Sequence, residues 1–94
     1  MGNAREALQV ADLCIRTYYS NTSCHLERSR SLFALRRLEE ANRSTEVTRR
    51  LIEHARQDAK ERIDRLENSS SKELWTSRLD LLDSEAEALE AIAP

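Results

Sequence analysis

Between Asn3 and Ala93 the chain contains neither glycine nor proline; Gly2 and Pro94 stand at the two ends. Every intervening residue carries a Cβ, so left-handed backbone is costly throughout and the glycine-based hairpin turns that join strands are missing. The same residues all keep an amide N–H, so nothing interrupts a helical hydrogen-bond ladder. The fold class expected from this is all-α. Hydrophobic residues make up 39% of the chain, enough to build a core despite 34% charge.

Four helical segments follow from the apolar periodicity. Asn3 with Glu6 reads as a capping box. Ala4, Leu8, Ala11, Ile15 and Tyr18 then recur at spacings of three and four, which predicts a first helix over about 4–19. Ser20-Asn21-Thr22-Ser23 stops it, because these side chains compete for backbone hydrogen bonds. A second helix is expected over about 24–41 on Leu32, Leu35 and Leu38, and a third over about 46–67 on Ile52, Ala55, Ala59, Ile63 and Leu66. Asn68-Ser69-Ser70-Ser71 is a second stop. Ser70 with Glu73 offers a cap for a last helix over about 72–92, whose seam is Trp75, Leu79, Leu82, Ala86 and Leu89.

The stretch from Cys24 to Asn68 decides the architecture. Continued as one heptad seam it would place Asn42, Thr45 and Arg49 where a coiled coil wants Leu or Ile. A break at Asn42-Arg43-Ser44-Thr45 is therefore expected, with Asn42 as a left-handed cap and Ser44 or Thr45 starting the next helix. Residues 1–94 then form a single domain, an antiparallel up-down-up-down four-helix bundle. The alternative is three helices with one long central helix over about 24–67, giving an extended or dimeric coiled-coil assembly.

Charge narrows the function classes. Residues 25–65 hold eleven Arg or Lys against eight Asp or Glu, while residues 66–94 hold two against seven. That asymmetry falls short of the basic excess of a nucleic-acid binder, and no aromatic residues alternate with the arginines. At most, weak nucleic-acid binding through the Arg-rich middle helices is expected. No apolar run approaches 18 residues, so no membrane span is expected, and no secretory h-region is seen. Met1-Gly2 begins like a myristoylation signal, but Glu6 stands where Ser or Thr is required. An intracellular, cytoplasmic protein is the simplest reading.

Candidate chemistry is sparse. A di-metal bundle needs Glu-x-x-His pairs, yet Thr22 and Leu51 stand three residues before His25 and His54. With the first hairpin centred near residue 21, Cys14 falls more than a turn from Cys24, so two free buried thiols and a reducing compartment are expected. Cys24-His25 lacks the orienting group and oxyanion donors of a nucleophilic centre. No enzyme, metal or cofactor is expected. Asn21, Asn42 and Asn68 each open an Asn-x-Ser/Thr pattern at an expected turn, where Asn and Ser serve local hydrogen bonding.

Two surface features carry the functional expectation. In the four-helix topology Tyr18, Tyr19, Cys24, His25, Leu66 and Trp75 share one pole, which either plugs the bundle or anchors a partner. Asp80, Asp83, Glu87 and Glu90 form an acidic stripe, which either neutralises the Arg-rich third helix or receives a basic segment. The expected function is a non-enzymatic helical protein–protein interaction or adaptor module with an unidentified protein partner. The alternative is a structural coiled-coil protein that self-assembles as a homodimer.

Overall fold

The computed structural model describes residues 3–92; Met1-Gly2 and Ala93-Pro94 lie outside the described residues. Four helices account for nearly all of them: α1 (Ala4–Thr17), α2 (Thr22–Ala34), α3 (Leu38–Arg65) and α4 (Ser69–Ile92). They form the expected all-α, antiparallel up-down-up-down four-helix bundle, and no strand occurs among the described residues.

Asparagine starts three of the helices. The Asn3 side-chain Oδ1 accepts from the Arg5 and Glu6 amides at 3.1 and 3.2 Å. Asn21 accepts from Cys24 N–H at 3.3 Å, and Asn68 from Ser70 and Ser71 N–H at 2.8 and 3.4 Å. Each satisfies amides that have no intrahelical acceptor. Asn21 and Asn68 are thereby employed as caps, and α4 starts from Asn68 rather than from the expected Ser70 box.

The break between the second and third helices lies at Leu35–Arg37, not at Asn42–Thr45. Arg36 adopts φ 57°, its N–H bonds to Phe33 C=O, and Arg37 N–H bonds to Leu32 C=O, each at 3.0 Å. This is a Schellman motif with arginine in the left-handed position usually given to glycine. Arg37 then forks onto the Glu40 carboxylate at 2.7–3.0 Å, over the first turn of α3.

Of the polar seam Asn42, Thr45 and Arg49 that argued for a break at 42–45, only Thr45 is buried, and α3 runs unbroken through all three. Ser44, Thr45 and Thr48 are buried within an unbroken α3 of 28 residues, while Asn42 points outward. Ser29 of α2 meets this face, its hydroxyl 2.8 Å from Ser44 Oγ and 3.4 Å from Thr48 Oγ1. Thr48 also donates to Ser44 C=O at 2.6 Å, and Ser29 to His25 C=O at 3.1 Å. Small hydroxyl side chains bring α2 and α3 close, and each hydroxyl bond contributes about 1 kcal/mol net.

The helices are unequal, and the core is correspondingly split. Leu8, Leu32 and Ala41 form one cluster, where α1, α2 and the start of α3 meet. Leu26, Ile52 and Leu89 form the other, where α2, α3 and α4 meet. Beyond Ile52 the partner of α3 is α4 alone: Arg56 reaches Asp83, Ala59 is fully buried, and Arg62 covers Trp75. The last turns of α3 and the first turns of α4 thus project as a two-helix hairpin. Overall extents of 47 × 25 × 22 Å and a radius of gyration of 14.7 Å reflect that projection; an evenly packed chain of this length would give about 12 Å.

Cys14 and Cys24 are joined in a disulfide, with Cα atoms 6.1 Å apart, which corrects the expectation of free thiols. The reason is register. Helix α1 ends at Thr17, and both Leu8 opposite Leu32 and Asp12 opposite Arg28 centre the hairpin at residue 20. That shift moves Cys14 into reach of Cys24.

Candidate protein-binding surface

The expected aromatic pole is assembled in part. His25 is buried, its Nε2 2.6 Å from Tyr19 C=O, and the Tyr19 ring meets its imidazole edge-on at a centroid distance of 5.4 Å. His25 is a structural pin of the α1–α2 loop. Tyr18 and Tyr19 remain exposed. Trp75 stands apart from them, half-buried on the projecting hairpin, with the Arg62 guanidinium 4.7 Å above its ring. The α4 residues that reach the tyrosine loop are instead Arg78, Leu81, Leu82 and Glu85, which with Tyr18 and Ser20–Ser23 line an open hollow. Trp75 misses this group because α2 begins beside the middle of α3, not beside its end.

Glu85, which is not among the acids of the expected stripe, links α4 to the start of α2. It is 6% exposed, and its two carboxylate oxygens accept from Thr22 Oγ1 at 2.7 Å and Ser23 Oγ at 2.8 Å. Helix α2 has no acid in its own first turn. Glu85 provides one from α4, at the positive end of the α2 dipole. The sequence held a signal for this: an acid within the apolar register of Leu82, Ala86 and Leu89, matched by a first turn of hydroxyls.

The acidic stripe divides by direction. Asp83 lies 2.8 Å from Arg56 Nε, placed off the N–H axis so that the contact is an ion pair rather than a directed hydrogen bond. Glu90 lies 3.2 Å from Arg49. These two acids neutralise α3. Asp80 and Glu87 point outward and make no ion pair among the described residues. Most of the arginines are occupied too. Arg28 pairs with Asp12, Arg37 with Glu40, Arg43 with Glu39, Arg50 with Glu46 and Arg62 with Asp58. Glu61 makes no ion pair among the described residues and accepts from Gln57 Nε2 at 3.5 Å.

Large apolar side chains are left uncovered on the same helix. Leu74 is 72% exposed and Leu81 55%, and Leu81 lies across the hollow from the exposed Tyr18. In a bundle of four equal helices α2 would have run alongside Leu74; here its 13 residues do not reach that far. Val10 and Leu13 form a second exposed pair on the outer side of α1.

Among the described residues no group of three His, Cys, Asp or Glu is placed to hold a metal ion, and no helix is long and apolar enough to cross a membrane. No family model, no curated protein and no solved structure matches the chain.

Proposed function

We propose that this chain is a non-enzymatic protein-interaction module whose binding surface is the outer side of α4 and the adjoining Tyr18 loop. The observation that carries the reading is the pairing of Leu81 with Tyr18 around one hollow, each more than half exposed. A tyrosine and a leucine beside a concavity are the kind of anchor that dominates interface energetics. Their exposure costs the free chain solubility, which a partner would recover. Cross-linking from position 81, with light scattering on the purified complex, tests it. A discrete complex lost on Leu81→Ser supports the reading; turnover, or a metal bound at one per chain, overturns it.

Self-assembly is the second reading, favoured by Val10 and Leu13. Their helix packs its backbone against α2 alone among the described helices, which leaves its outer side open to a second copy. A melting temperature that rises with protein concentration, and ceases to on Leu13→Ser, identifies that case. Weak nucleic-acid binding is the least supported reading, since acids already hold most of the arginines. The disulfide moves the proposed location from a reducing cytoplasm to an oxidising compartment, where such a bond persists.

A further inference from the structure

The geometry of α4 points to a specific partner chemistry: a basic amphipathic helix of another protein, lying lengthwise along its outward side. The inference rests on the interaction-module reading and deepens it. Leu74 and Leu81 are exposed and stand seven residues apart, so they line up along one strip of α4, which ends where Ala88 turns in to pack against the Leu26–Ile52–Leu89 cluster. Glu73, Asp80 and Glu87 each stand one position earlier, forming a parallel acidic row about 21 Å long. All three acids are exposed, and none makes an ion pair among the described residues. This separates them from Asp83 and Glu90, already matched to arginines of α3. Between the two rows sit Ser77 and Ser84, small enough for close approach of a second backbone.

The pattern is one side of a heptad interface: an apolar seam flanked by charges of a single sign. The helix that complements it has its own apolar residues at heptad spacing and Lys or Arg on the flank facing Glu73, Asp80 and Glu87. A second copy of this chain fits poorly. Antiparallel pairing of α4 with itself sets each acidic row against the same row of the other copy, and like charges so placed repel. The cations of α4, Lys72 and Arg78, lie outside that row.

Two synthetic 21-residue helices test the inference on the full chain. Both carry Leu at the seam positions; one has Lys at the flanks and the other Glu. The Lys helix is expected to bind, with amide shifts concentrated on α4, and the Glu helix to bind at least tenfold more weakly. The double variant Leu74→Ser, Leu81→Ser should lose the Lys helix by tenfold or more. The triple variant Glu73→Lys, Asp80→Lys, Glu87→Lys should reverse the preference between the helices. These positions are on the surface, and unchanged circular dichroism checks that the fold is kept. Equal binding of both helices, or binding indifferent to the triple variant, overturns the proposal. A dimer of the free chain that Leu81→Ser dissociates also overturns it, because a second copy then covers the strip. Should neither helix bind while a natural complex is still lost on Leu81→Ser, the basic partner is wrong and the interaction-module reading stands.

Discussion

Ser29 of α2 and Ser44 of α3 hold their hydroxyls 2.8 Å apart at a crossing where both side chains are buried. Neither serine lies on the Asn42, Thr45 and Arg49 seam; the pair is a separate contact between the two helices. It supports α3 through Ser44 and Thr48, whose hydroxyls are matched by Ser29, while Thr45 Oγ1 is buried without a hydrogen-bond partner among the described residues. Substituting Ser29→Ala removes the bridge and leaves the Ser44 hydroxyl short of a partner, a cost of about 1–2 kcal/mol. Ser29→Leu should cost more, about 2–3 kcal/mol, since the added volume forces the helices apart. Urea unfolding of the three proteins orders them. If the leucine variant proved the most stable, the crossing would not be set by small side chains.

Arg36 offers the opposite outcome. It occupies the left-handed region at φ 57°, and no side-chain bond of its guanidinium is seen among the described residues. Glycine takes that conformation without the Cβ clash, so Arg36→Gly should stabilise the protein by about 1 kcal/mol. A β-branched Arg36→Val should destabilise it by at least as much. Thermal melts of the pair against the parent decide this, and a glycine variant less stable than the parent would remove the motif from the account.

The existence of four helices was legible, and so were the two stops at residues 20–23 and 68–71, because Asn and Ser cluster where amides need capping. The position of the middle break was not. Its left-handed residue is an arginine with no local sequence signal, while Asn42-Arg43-Ser44-Thr45 imitates a turn but is helical, with Asn42 and Arg43 exposed and Ser44 and Thr45 buried. The error in the hairpin centre had the same origin: helix ends move by a residue or two, and each residue shifts what stands opposite Cys24. For the candidate surface, the sequence supplied Tyr18 and the acids of α4. It did not supply the division of those acids between α3 and solvent, which depends on which way α4 turns. Nor did it show that α2 stops short of Leu74.

Glu85 joins α4 to the start of α2 through Thr22 and Ser23. Hydrogen bonds to an ionised acceptor are worth about 1.5–3 kcal/mol, so Glu85→Ala, which also strands a buried Thr22 hydroxyl, should cost about 3 kcal/mol. Glu85→Gln retains one acceptor oxygen and should cost roughly half of that. Hydrogen exchange adds a spatial check. The amides of the first α2 turn should lose protection first, ahead of those near Ala59, which only α3 and α4 bury. Uniform loss across the chain would show that Glu85 acts on the core as a whole.

The Cys14–Cys24 bond closes a short loop around Tyr18 and Tyr19 and ties down a helix whose backbone packs against α2 alone. Leu8 and Ala11 are the buried residues of α1, and the Asp12–Arg28 pair, partly exposed, adds less than about 1 kcal/mol. Loss of a cross-link over so short a loop removes about 2–3 kcal/mol by the chain-entropy estimate. Reduction with dithiothreitol, or the double variant Cys14→Ser, Cys24→Ser, should therefore lower the melting temperature by on the order of 10 °C. The loss should be local. Exchange should accelerate throughout α1 and spare the Leu26–Ile52–Leu89 cluster, to which α1 contributes no buried residue. Intact mass under non-reducing conditions, two hydrogens lighter than the reduced chain, establishes the bond itself. A protein whose melt and exchange are indifferent to reduction would mean that Leu8 and Ala11 alone hold α1 in place.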